Sequence, residues 1–318
     1  MQFRTPVPIL VSPFPIDYNS KIMSIGSCFA VNIAEKFAYF KFQNCCNPFG
    51  IIFNPVSIAK LLQRAVNEEY FTEKDVFFHN DLWHCFEVHS ELSNPNKDIF
   101  LSLLNELIDS TRQQITEATH FQITYGTAWV YRHLESNQIV ANCHKVPQKQ
   151  FEKHLLAITE IEESITKTIA LIQSINPEIK IIFTVSPVRH IKDGFVENTM
   201  SKSHLISAIH KVIQTEDCKL NTGYFPSYEI MMDELRDYRF YAEDMLHPNQ
   251  LAIDYIWQGF KDTAVSKSAL VVMEEVETIQ KGLSHRSFNP ESESHQKFVA
   301  KLQSRITELC SKYSFMKF

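Results

Sequence analysis

The sequence predicts an α/β protein: a three-layer α/β/α sandwich built on a short parallel sheet. Two observations carry that expectation. Short apolar runs alternate with longer stretches whose apolar residues recur every three or four positions, the pattern of strands separated by helices, which sets strands parallel and helices on both faces. The run Lys180–Val185 is continuously β-branched or aromatic after its first residue, as in a strand buried on both sides.

Taken in order, Lys21 to Ile25 forms an apolar run ending at Gly26, and Phe29, Ile33, Phe37 and Phe40 then follow at helical spacing. That reads as strand, sharp turn, helix. Asn54-Pro55 is a cap followed by proline at the first helical position, and Ile58, Leu61, Leu62 and Ala65 supply the buried stripe beyond it. Residues 76–88 suggest short strands, 96–119 a helix, and Phe121 to Tyr125 a strand ending at Gly126. Val130 to Val140 folds back around Glu135, Ser136 and Asn137 as a hairpin. Phe151, Leu155, Ile158, Ile161, Ile165, Ile169 and Ile172 predict the longest helix, starting at 151 and closed by Asn176-Pro177. After the strand Lys180–Val185 come a helix near 201–214, a strand around Tyr224 and a helix from Pro248 onward. We expect a main domain over 1–264, with a hairpin insertion at 76–91 or 130–145, and a helical C-terminal extension over 265–318.

Composition narrows the function. The chain has 318 residues, 44% hydrophobic and 21% charged, as expected of a globular protein. Its net charge of −6 is spread along the chain, which argues against a nucleic-acid partner, since phosphate binding wants a basic face. The opening MQFRTPVPILVSPFPIDYNSK holds four prolines and no apolar run long enough to span a bilayer, so no membrane partner is expected and the reading is cytoplasmic. The seven cysteines are scattered and form no CxxC pair, which fits reduced thiols; neither a metal nor a cofactor is expected. Oligomeric state is not legible. Three of only seven glycines, Gly26, Gly50 and Gly126, fall where a strand gives way to a loop, the edge at which open parallel sheets hold their ligands.

Two short motifs carry chemistry. Ser27 follows a strand and starts a helix, so it projects at the crevice edge where the helix N-terminus favours developing negative charge. A serine in that place is also a common helix cap. Asp244-Met245-Leu246-His247 sets a carboxylate three residues ahead of an imidazole, close enough to orient the ring while its other nitrogen faces a nucleophile. Cys28 is the competing nucleophile, but neighbours on a turn point in different directions and only one can face His247.

At these residues the chain resembles a known family. Gly26-Ser27-Cys28-Phe29-Ala30 spells the signature after which the GSCFA family is named, a branch similar to the SGNH or GDSL-like hydrolases. Asn47-Pro48-Phe49-Gly50, Asn142-Cys143-His144-Lys145, Ser186-Pro187-Val188-Arg189-His190 and the stretch 224–249 follow the same pattern in order, so the resemblance spans about 20–260. It implies a triad in which Ser27 attacks an acyl carbonyl, His247 takes its proton and Asp244 holds the ring, with Gly50 offering its N–H to the oxyanion. The implied activity is deacylation, with deacetylation the expected case, of a sugar, glycan or other small hydroxylated ester. Acyl transfer by the same triad, or a ligand-binding module that lost the chemistry, are the alternatives.

One departure from the wider pattern stands out. Where SGNH hydrolases carry a Gly-x-Asn-Asp stretch, this chain has Gly126-Thr127-Ala128-Trp129, and Ala128 has no side-chain donor. Gly126, Thr127, Arg189 and His190 are the candidates to complete the oxyanion and substrate site, with His89 the member of the cluster His79, Trp83, His84 and His89 expected to border it.

Overall fold

A computed structural model describes residues 4–215, 218 and 220–318. Strand β1 (Lys21–Gly26) is buried from Ile22 onward and passes through the single residue Ser27 into α1 (Cys28–Tyr39). Strand β2 (Gln43–Cys46) and α2 (Pro55–Asn67) follow, the helix capped by the Asn54 carboxamide, which accepts from the Ser57 N–H at 2.8 Å. The antiparallel pair β3 (Phe77–His79) and β4 (Leu82–His84) precedes α3 (Lys97–Glu117) and β5 (His120–Tyr125). Strands β6 (Trp129–His133), β7 (Gln138–Val140) and β8 (Phe151–Leu155) form a separate antiparallel sheet in the order β7-β6-β8. Then come α4 (Ile158–Ile175), β9 (Lys180–Val185), α5 (Phe195–Ile213) and β10 (Thr222–Tyr224). The short α6 (Ser227–Glu229) leads through a loop to α7 (Gln250–Ala264), α8 (Lys267–Ser284) and α9 (Glu293–Lys312).

The central sheet has five parallel strands in the order β10-β9-β5-β1-β2. Period-two alternation splits its side chains between two cores. Met23, Ile25, Phe121, Ile123, Ile181 and Phe183 pack under Leu61, Leu104, Ile165 and Ile209 of α2–α5. Ile22 and Ile182 face the other way, against Phe29 and Phe37 of α1 and Ile256, Trp257 and Phe260 of α7. Each such side chain contributes roughly 1.5–3 kcal/mol on burial. The layers are those expected from the sequence. The extension shares the second core: Met273, Val276 and Ile279 of α8 and Leu302 and Leu309 of α9 lie in the same cluster as α1 and α7, and Arg305 pairs with Glu275 through its Nε and Nη2 at 2.5 and 2.6 Å. The proline-bearing opening runs along the end of α7, where Ile16 N–H bonds Ala264 O at 2.8 Å.

Three elements differ from expectation. Residues 151–155 are a strand paired with β6, and the helix starts only at Ile158, where the Glu160 carboxylate takes the Ala157 N–H at 2.7 Å. Phe151 and Leu155, four apart, satisfy a period of two as well as 3.6, so spacing alone does not separate the two. Helix α5 begins at Phe195, six residues before the expected start, because Gly194 at φ +120° makes the turn into it. The edge strand β2, Gln-Asn-Cys-Cys, carries no apolar pattern and was not expected.

Candidate functional site

The carboxyl ends of β1, β5 and β9 build the site. Gly26 sits at φ +139°, and a Cβ there would lie 2.1 Å from the Thr124 carbonyl oxygen, so only glycine lets β1 turn this close to β5. The Asn47 side-chain oxygen holds the Gly26 N–H at 2.7 Å. Ser27 caps α1: its Oγ accepts from the Phe29 N–H at 3.3 Å and its own N–H bonds Thr124 O at 3.0 Å. The residue has no exposed surface. Gly126 lies against it, since a Cβ on Gly126 would fall 3.3 Å from the Ser27 Cβ. Cys28, half-buried, has its thiol pushed up by burial, with the nearby Asp244 charge adding to the rise and Lys202 opposing it.

Asp244 and His247 form a self-contained loop. Asp244 Oδ1 accepts the N–H groups of Leu246 at 2.9 Å and His247 at 3.0 Å, while Oδ2 lies 2.6 Å from His247 Nδ1. Those two N–H groups, His247's first, and then the ring hold the carboxyl down at about 2. A carboxylate at Nδ1 fixes the tautomer that leaves Nε2 as an acceptor. Arg189 fastens this loop to the end of β9. Its N–H bonds Leu246 O at 3.2 Å, its guanidinium bonds the Met245 carbonyl, and it stacks over Tyr241 at 4.3 Å and Tyr238 at 5.3 Å. His190 follows, its ring edge-on to Phe53 at 5.6 Å and its Nε2 buried without a hydrogen-bond partner among the described residues. Burial first, then the charges of Lys202 and His247, hold that ring down at about 3. Phe53 O in turn takes the N–H groups of Gly126 at 2.8 Å and Thr127 at 3.2 Å. The chain of contacts from the Asp244–His247 loop, by its Met245 and Leu246 carbonyls, through Arg189, His190 and Phe53 to Gly126 and Ser27 is continuous. Among the described residues no hydrogen bond joins Ser27 Oγ to His247 directly.

The remaining candidates take varied places. Gly50, at φ +75°, gives its N–H to Asn47 O at 2.8 Å, and a Cβ there would lie 2.3 Å from the Cβ of His89. His89 thus braces the Gly50 turn, its N–H bonding Phe49 O at 3.0 Å. The Thr127 hydroxyl contacts Ser201 Oγ at 3.0 Å and accepts the Trp129 N–H at 3.0 Å. Ala128 is fully buried within the first apolar core, its N–H on Ser201 Oγ at 2.7 Å. An asparagine amide at 128 would therefore start from the core and not from the crevice. The N–H groups of Ser27, Gly50, Gly126 and Thr127 all have acceptors, so an oxyanion reaches them only by exchange. His84 is tied by both ring nitrogens, to Ser93 Oγ at 2.6 Å and His79 O at 2.9 Å. Among the described residues no group of three His, Cys, Asp or Glu could hold a metal ion, and no helix is long and apolar enough to cross a membrane.

Sequence reasoning missed Lys202. It is 1% exposed, and its Nζ donates to Gly126 O at 2.7 Å and Ser186 O at 2.8 Å, bridging the ends of β5 and β9. Burial pushes its ammonium down to about 7. The signal was present: 198, 202, 205, 209 and 212 share one helical face, so the lysine falls on the buried stripe of α5.

Comparison with known proteins adds three findings. The GSCFA family matches residues 21–260, and the model described as GSCFA domain protein, C-terminal domain, matches 276–318. Solved structures similar to this chain include a carbohydrate esterase family 3 from Talaromyces cellulolyticus, at 9% identity and a TM-score of 0.37, covering 80% of this chain and 99% of that one. An acetyl esterase mutant with acetate ion aligns at 11% identity and a TM-score of 0.28, over 53% of this chain and 68% of its own. No curated protein matches the chain.

Proposed function

The chain belongs to the GSCFA family, and we propose that it is an acyl-ester hydrolase of the SGNH type with Ser27, His247 and Asp244 as its triad. One observation carries the reading: the 2.6 Å Asp244–His247 contact leaves Nε2 free on a loop that Arg189 ties to the strand end beside Ser27. Attack begins when Ser27 Oγ leaves the Phe29 N–H and passes its proton to His247 Nε2. The oxygen bonds the acyl carbon and the carbonyl electrons move to its oxygen. Collapse breaks the bond to the leaving alkoxide, which takes the proton from His247, and water resolves the acyl-enzyme by the same steps. Substrates are short acyl esters, acetyl first, on a sugar or other small hydroxylated molecule, and an alcohol in place of water would make the same site a transferase.

A second reading, a ligand-binding module without turnover, is favoured by the absence of exposed Ser27 surface and by its occupied N–H. Hydrolysis of a small activated ester separates the two. The hydrolase reading predicts activity that Ser27→Ala abolishes and Cys28→Ala largely retains. A wild type without activity favours the module, and the reverse pattern between the two variants moves the nucleophile to Cys28.

A further inference from the structure

Lys202 is an ammonium buried to 1% exposure with no carboxylate within ion-pair distance among the described residues. An unpaired charge taken out of water is costly, and side chains of this kind persist where the surroundings determine them. Two strand-end carbonyls are its hydrogen-bond partners, Gly126 O and Ser186 O, and the ring of Tyr228 lies 5.5 Å from its Nζ. Its position is informative. Gly126 packs against Ser27, Ser186 opens the segment that carries Arg189 and His190, and the Lys202 charge acts on both Cys28 and His190. One cation therefore touches the backbone on both sides of the crevice floor and places its charge beside the Ser27 turn.

We propose that Lys202 is the positioning cation of this site, holding the Gly126 and Ser186 strand ends together beside Ser27 and supplying the positive potential that an asparagine amide supplies in the wider hydrolase pattern. The inference rests on the hydrolase reading. A developing oxyanion beside Ser27 would be stabilised by a fixed charge in a dry surrounding, where each such interaction is worth more than in water.

Two readouts test it. Fluorophosphonate labelling of Ser27, followed by intact mass, should slow by ~10²-fold in Lys202→Gln, which keeps an N–H donor for the strand-end carbonyls and loses the charge, and should recover to within about tenfold in Lys202→Arg. The second readout is alkylation of Cys28 by iodoacetamide, followed by peptide mass across pH 6 to 10. In Lys202→Gln the reaction should slow about tenfold at pH 6, where the wild-type ammonium is charged, and converge with wild type above pH 8, because below about 7 the neighbouring cation favours the thiolate. Labelling within threefold of wild type in Lys202→Gln overturns the proposal. So does slower labelling with an unmoved Cys28 profile, the signature of a merely structural lysine. If Lys202→Gln does not fold, the wild type decides: labelling should fall as the ammonium titrates above about 7, with Cys28, His190 and Tyr228 the titratable groups facing it, and a level rate from pH 7 to 9 overturns the claim. A wild type that takes no label overturns the hydrolase reading, and the Cys28 profile then still decides whether Lys202 sets the potential at the turn.

Discussion

Ser27 and His247 stand at the same edge of the sheet in opposite surroundings. Ser27, Gly126, Ser186 and Lys202 belong to the ends of buried parallel strands and to a buried helix face, and neither Ser27 nor Lys202 has more than 1% of its surface exposed. Asp244 and His247 lie on a loop with their side chains 45% and 48% exposed, held by hydrogen bonds within four residues and by Arg189. Ser27 is fixed by the fold, whereas His247 is fixed by its own loop and one guanidinium. A site divided this way gains its precision from the strand ends and leaves its adjustable part at the surface, since local openings concentrate where few apolar contacts hold a segment. In this conformation the serine caps its helix, so in the proposed triad the approach to His247 is a task for the loop.

The largest expected effect breaks the exposed half outright. His247→Ala should lower kcat/KM for a small ester by ~10³–10⁴, and adding it to Ser27→Ala should cost almost nothing further, because the members of a triad act as one unit. Multiplicative losses in the double variant would place the histidine's work elsewhere. A smaller effect should come from the clamp. Arg189→Ala removes the Met245 contact and the stacking on Tyr241, and misplacing the base should lower kcat by about 10–10²-fold with the protein still folded. If KM rises instead while kcat holds, Arg189 binds substrate and the loop needs no clamp.

The same division governs what could be read from the sequence. The Asp-x-x-His spacing is local, so the 2.6 Å contact between Asp244 and His247 follows from four consecutive residues. The strand-turn-helix around Ser27 is local as well, and Gly26 announces the turn. Lys202 acquires meaning only when α5 is laid across the ends of β5 and β9, 76 and 16 residues away in sequence. Gly50 was legible as a strand-end glycine, but its reason, the approach of His89 from the hairpin insertion, is long-range. Ala128 was read as a missing donor, yet the side chain there points into the first core, which no spacing in Gly126-Thr127-Ala128-Trp129 could disclose. Strand β2 escaped because an edge strand of polar residues and cysteines, with β1 as its strand partner, leaves no hydrophobic period.

The central claim is that a buried helix-capping serine becomes the nucleophile of an exposed histidine. Mapping a fluorophosphonate adduct by peptide mass, with wild type, Ser27→Ala and His247→Ala compared under one condition, tests it most directly. The account predicts a single adduct on Ser27 that is absent in Ser27→Ala and forms far more slowly in His247→Ala; an adduct on Cys28, or labelling of Ser27 at an unchanged rate without His247, would contradict it.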